Sequence, residues 1–119
     1  LDSILKSGKA VKEFNRVYGI LVDTFDPKNF VVEEVTGVSG KEKRYIGDFE
    51  NTTGHYINYI DISIDFYDEN DKVYSGFRFN TRYVWENGTK KSFEFSIPDS
   101  DTRFKYFKVN LGEKGFSFE

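Results

Sequence analysis

Between Tyr59 and Tyr67 the chain alternates without a break: Ile60, Ile62, Ile64 and Phe66 fall on one side, Tyr59, Asp61, Ser63, Asp65 and Tyr67 on the other. A period of two belongs to a β-strand, whose successive side chains point to opposite faces. The segment therefore demands a sheet with one buried face and one polar face. After Asp68-Glu69-Asn70-Asp71 the pattern resumes, with Phe77, Phe79, Thr81, Tyr83 and Trp85 alternating with Arg78, Asn80 and Arg82. In an antiparallel hairpin, Ile62 and Ile64 must share a face with Phe77 and Phe79, and this leaves few registers. Either Asp61 or Ser63 then lies opposite Arg78, and Arg82 falls near Tyr59. The outer face is charge-paired, and the inner pairs carry the stability.

Shorter segments read the same way: Phe30 to Thr36, Arg44 to Asn51, Ser92 to Ile97 and Phe104 to Leu111, the third closed by Pro98, which has no N–H for a ladder. Phe104 and Tyr106 are out of phase with Phe107, Val109 and Leu111, which predicts a bulge near Tyr106. Asn87-Gly88 is a turn dipeptide. A tight hairpin there would set Tyr83 against Ser92 and mix faces, so the chain is expected to change sheets. Gly112-Glu113-Lys114-Gly115 reads as a turn, and either a short last strand or a free end follows at Phe116 and Phe118. Six or seven short strands make the fold mainly β, a β-sandwich.

Residues 1–29 are different. Ile4, Val11, Phe14, Tyr18, Leu21 and Phe25 form one stripe of a helix, with Lys9, Lys12, Glu13 and Arg16 opposite. The expected helix runs from Gly8 to Thr24, with Ser7 as N-cap and Asp26-Pro27 as stop. Gly19 costs it about 1 kcal/mol relative to alanine, and Val17 to Val22 also fits a strand. The division is thus a helix and connector over 1–29 and a sandwich over 30–119. The stripe packs on the sandwich, or it connects to an anchor or a partner.

Composition bounds the function. A chain of 119 residues is one domain in size, and 18% aromatic content within 38% hydrophobic makes nearly half of the core stock ring. There is no Cys and no Met, which removes disulfide and thiolate chemistry and Cys-ligated metal sites. A net charge of −3 argues against a nucleic-acid partner. Apolar runs such as Ile20-Leu21-Val22 are far short of the 18 or so residues of a membrane span. The start at Leu1, without any Met, reads as trimmed, which leaves room for a signal peptide or lipid anchor removed upstream.

The segment from Phe30 to Leu111 resembles the FxLYD domain, a small module of exported bacterial and archaeal proteins. The matching residues are Gly47-Asp48-Phe49-Glu50-Asn51-Thr52-Thr53-Gly54, Ile64-Asp65-Phe66-Tyr67-Asp68, Val73, Asn87-Gly88, Phe93-Glu94-Phe95, Tyr106, Lys108 and Val109. Ile64 and Phe66 stand at the two apolar positions of the name-giving motif, and Asp71 stands where the turn usually has Gly, a tolerable exchange. The resemblance implies an immunoglobulin-like β-sandwich in a secreted or surface-anchored protein, often a lipoprotein. It implies no catalytic residues and no cofactor.

The residues themselves offer little chemistry. His55 is the single histidine and reads as an exposed, inert turn residue. Gly37-Val38-Ser39-Gly40 lacks the last glycine of a nucleophile elbow. Asp61 and Asp65 lie about 13 Å apart on one strand, beyond the roughly 5–9.5 Å of glycosidase carboxylates. Asp68-Glu69-Asn70-Asp71, with Asp99 and Asp101, fails the EF-hand pattern and reads as a solvated turn, with a loose calcium site as its alternative. Asn51-Thr52-Thr53 and Asn87-Gly88-Thr89 are formal glycosylation sequons. The leading expectation is a non-enzymatic interaction or spacer module of the cell envelope or of a secreted protein, with an unknown protein or glycan partner at the cell surface. The alternative is a carbohydrate-binding module presenting Tyr56, Tyr59, Tyr67, Tyr74 and Trp85 as stacking rings.

Overall fold

The computed structural model describes the backbone of residues 2–81 and 84–119 and the side chains of residues 8–80 and 84–119. The elements are α1 (Asp2–Thr24), a 3-10 turn (Pro27–Asn29), β1 (Val31–Gly37), β2 (Gly40–Glu50), β3 (Ile57–Tyr67), β4 (Val73–Thr81), β5 (Lys90–Pro98), β6 (Tyr106–Asn110) and β7 (Phe116–Phe118). They form two antiparallel sheets packed as a β-sandwich, one ordered β1-β2-β5 and the other β4-β3-β6 with β7 also paired to β3.

The β3–β4 hairpin has the register that sets Ser63 opposite Arg78, with Ile62 opposite Phe79 and Ile64 opposite Phe77. Arg82 and Tyr83 lie outside the described residues. Asp68 Oδ1 organises the turn by accepting hydrogen bonds from Asn70 N (2.8 Å) and Lys72 N (3.1 Å). Asp71 takes the left-handed conformation there, at φ 62°, which an Asp tolerates better than most residues with a Cβ. After β4 the chain does change sheets: Trp85 still bridges Ile57 of β3, and β5 then pairs with β2.

The expected bulge near Tyr106 is corrected. β6 pairs with β3 in unbroken register, from Tyr106 opposite Tyr67 to Asn110 opposite Ser63. Phe104 is out of phase because it stands in the loop before β6, where its ring packs on Phe66 (5.6 Å) and Tyr45 (5.9 Å). The irregularity falls instead at Phe66/Tyr67, where Phe66 faces Ser75 and Tyr67 faces Val73. Tyr74 is the extra residue.

Phe95 is the hub of the core, with ring centroids 4.9 Å from Phe107, 5.3 Å from Phe77 and 5.7 Å from Phe66. The contacts with Phe107 and Phe77 are edge-to-face, the arrangement the ring quadrupole favours. Phe93, Phe66 and Phe107 are buried, whereas Phe77 and Phe79 on edge strand β4 are only half-buried.

The helix begins earlier than expected, so Ser7 lies inside it and is not its N-cap. Val17 to Val22 is helical. Val17, Leu21 and Phe25 enter the same core as the strands. Phe25 meets Phe93 (4.9 Å) and Phe49 (5.6 Å) of one sheet, while Phe14 and Tyr18 stack on Phe116 (5.0 and 5.7 Å) of the other. Tyr18 also donates its hydroxyl to Leu111 O at 2.7 Å. This half of α1 closes one open side of the sandwich, each buried side chain contributing about 1.5–3 kcal/mol. Gly8 to Lys12 are exposed, and the molecule extends 61 × 31 × 21 Å. Among the described residues no helix is long and apolar enough to cross a membrane.

Candidate functional site

The outer face of the four-stranded sheet carries what the alternation of β3 turns away from the core. Arg78 sits opposite Ser63 and reaches diagonally to Asp61, donating from Nε to Oδ1 at 2.6 Å and from Nη2 to Oδ2. Tyr59 OH donates to Asp61 Oδ2 (3.3 Å), and Asn80 Nδ2 donates to Tyr59 OH (3.3 Å). Asn110 Nδ2 donates to Asp65 Oδ2 at 2.6 Å. Asp61, Ser63, Arg78, Asn110 and Lys114 line an open depression of about 420 Å³.

The hydrogen bond from Arg78 holds the Asp61 carboxyl below the usual carboxylate range, against the opposing effect of partial burial. A depressed folded value gives stability that is complete above the unfolded value near 4 and is lost as pH falls through the folded one. The Arg78→Ala variant should return Asp61 to the ordinary range and remove this slope. Carboxyl NMR titration of both proteins reads it directly.

The five aromatic candidates do not form one surface. Tyr59 and Tyr67 lie on the polar face, half-buried. Tyr67 is stacked on Tyr106 at 4.8 Å and 3° between planes, and the Lys108 ammonium lies 5.3 Å from its ring centre. Tyr56 is half-buried just before β3, where its carbonyl accepts a hydrogen bond from Glu119 N.

Tyr74 and Trp85 are corrections. The register shift carries Tyr74 off the polar face to one end of the sandwich, between Phe66 (6.4 Å) and the Arg103 guanidinium (4.4 Å from the ring). Its hydroxyl donates to Asp101 Oδ2 at 2.8 Å. Trp85 is 1% exposed, inside the hydrophobic core that the strands share with Val17, Leu21 and Phe25. Phe93 (5.9 Å) and Phe25 (6.3 Å) border its ring, and its Nε1–H donates to Thr89 O at 2.9 Å. Such a ring has no face to offer a sugar.

Burial, reinforced by the bond to the Asp101 carboxylate, pushes the Tyr74 hydroxyl up to about 12. Its neutral form is the stabilising one, so this contribution holds below the ordinary tyrosine value near 10 and fades as pH rises toward the folded one. Ultraviolet titration of tyrosinate should show a step at about 12, absent in Tyr74→Phe and moved downward in Asp101→Asn.

The remaining polar groups serve the fold. Asp68 caps its turn, Asp71 Oδ1 accepts from Tyr106 OH (2.9 Å), and Asp101 accepts from Tyr74 OH and Arg103 N. Among the described residues no three such side chains are placed to share a metal ion. His55 is not an exposed, inert turn residue. It is half-buried, with Nδ1 3.1 Å from Glu119 O, Nε2 3.4 Å from Glu13 Oε1 and its ring 4.6 Å from Phe118. It joins α1 to the last strand, a contact the sequence alone did not suggest.

A concentrated polar cluster lies at Asn51-Thr52-Thr53-Gly54, which the sequence marked only through the FxLYD resemblance and a formal sequon. Among the described residues, Asn51 and Thr53 are the buried polar ones, at 1% and 0% exposure. Asn51 Nδ2 donates to His55 O (2.8 Å) and Trp85 O (2.7 Å), and its Oδ1 accepts from Thr53 N (3.0 Å) and Thr53 Oγ1 (2.7 Å). Arg16 Nη2 of α1 donates to Thr53 O at 2.5 Å. The signal lay in an Asn closing a strand with a Thr two residues on, which can build an Asx turn. Asn51, one of the two sequon asparagines, has its amide fully committed inside the protein. In comparisons with known proteins, no family model, curated protein or solved structure matches this chain.

Proposed function

We propose that this chain is a non-enzymatic interaction or spacer module of a secreted or cell-envelope protein, of the kind its FxLYD resemblance implies, with an immunoglobulin-like sandwich as its body. The observation that carries the reading is where the reactive side chains are engaged. Asn51, His55, Asp68, Asp71 and Asp101 each hold a turn, an end strand or the helix in place. General acid–base or nucleophilic catalysis needs such groups converging on free space. The elongated body, with half of α1 docked and Gly8 to Lys12 standing clear, suits a spacer that sets one end of the molecule away from the other. The glycan-stacking alternative is weakened by the burial of Trp85 and by the groups covering the Tyr67 ring.

The test is the location of the protein in its own cells. An epitope-tagged full-length protein should be exported and open to protease added to intact cells. A protected cytosolic pool overturns the assignment.

A further inference from the structure

We propose that Asn87-Gly88 is a modification site gated by folding: a latent deamidation site that the native turn holds shut and that converts once the β4–β5 crossover opens. In an Asn-Gly pair the glycine nitrogen is the least hindered of backbone nucleophiles, since no Cβ flanks it. Gly88 N attacks Asn87 Cγ and gives up its proton. The Cγ–Nδ2 bond breaks, ammonia leaves, and a five-membered succinimide remains. Water then opens the ring at either carbonyl, leaving aspartate or isoaspartate at position 87. Water is the sole co-reactant.

The surroundings combine access with restraint. Glu86 to Thr89 form an exposed turn closed by Thr89 N donating to Glu86 O at 3.1 Å, with Gly88 at φ 83°. Water therefore reaches the pair. Yet both reacting groups are tied to the 51–54 segment: Gly88 N donates to Asn51 O at 2.7 Å, and Asn87 Oδ1 accepts from Gly54 N at 2.8 Å. Asn51 is itself fixed by the four bonds of its side chain. Attack requires the nucleophile to leave one partner and the electrophile to turn from the other, so the reaction proceeds through the opened crossover.

The two products differ in what they restore. Aspartate keeps an oxygen for Gly54 N. Isoaspartate inserts a methylene into the backbone and shifts Gly88 N away from Asn51 O, so the turn does not close again. The site thus records, irreversibly, that a given molecule has opened.

The experiment incubates the full chain in mildly alkaline buffer, native and in denaturing urea, and follows residue 87 by peptide mass mapping and isoaspartate detection. The native chain should react about tenfold or more slowly, the factor expected when two hydrogen bonds must first be broken. Equal rates in the two conditions, or no reaction in urea, overturn the proposal. In a second arm the isoaspartate form is purified and its thermal unfolding compared with that of Asn87→Asp. It should melt lower, while Asn87→Asp melts near the parent. Coincident curves for the two products overturn the one-way closure.

Discussion

Replacing Asn51 with alanine is expected to cost the fold about 3–5 kcal/mol, a large part of the 5–15 kcal/mol typical of a domain. One side chain satisfies four partners: the carbonyls of His55 and Trp85, and the amide and hydroxyl of Thr53. All four surround a residue that is 1% exposed. Each partner left bare in such a site loses about 1–3 kcal/mol, while Trp85 O keeps the bond from Ile57 N and His55 O a longer one from Thr53 Oγ1. The costs do not add fully, because a void of amide size admits water. Asn51→Asp is the sharper test. It keeps the size and the two accepted bonds but replaces the two donated bonds with a carboxylate facing two carbonyl oxygens. Urea unfolding should place both variants well below the parent, with Thr53→Ser much closer to it. A loss under about 1 kcal/mol for Asn51→Ala would mean that the junction is held by the strands around it instead.

The contrast between Asn51 and the β3–β4 hairpin shows what periodicity can carry. Alternation over Tyr59 to Tyr67 and again over Phe77 to Phe79 leaves few registers, and Arg78 takes one of them, opposite Ser63 and bonded diagonally to Asp61. The stripe from Phe14 to Phe25 likewise announces a helix face that must be covered. Periodicity reports which face a side chain takes, however, and not which distant element closes over it. Trp85 follows the inward phase of Phe77 and Phe79, which conflicts with a role as an exposed stacking ring. It is buried because Phe25, the residue just past the end of α1, lies beside it. His55 is covered for the same kind of reason, by Glu13 of the helix and Phe118 of β7. Tyr74 was lost to a single extra residue in the ladder, which reverses phase without any change in composition. The polar face was legible and the ends of the sandwich were not, since the ends are built by contacts between segments far apart in sequence.

Phe25→Ala decides whether α1 is part of the domain or a satellite on it. Its ring lies within 4.9 Å of Phe93, 5.6 Å of Phe49 and 6.3 Å of Trp85, so it touches residues from both sides of the sandwich at once. Truncating a buried phenylalanine costs about 3–5 kcal/mol where the surroundings do not collapse into the space. With both sheets bordering it, that loss should lower the unfolding midpoint of the whole chain in one transition. Trp85 supplies an internal probe, because removal of the neighbouring ring opens its site and should move its emission to longer wavelength before unfolding begins. Val11→Ala is the matched control on the same helix: Val11 is 57% exposed, and its truncation should change stability by no more than about 0.5 kcal/mol. A satellite helix predicts the opposite for Phe25→Ala. Helical signal would be lost at low urea while the strands held their parental midpoint, giving two separate transitions. Far-ultraviolet circular dichroism and Trp85 fluorescence recorded along one urea series distinguish these outcomes, and coincident single transitions are expected.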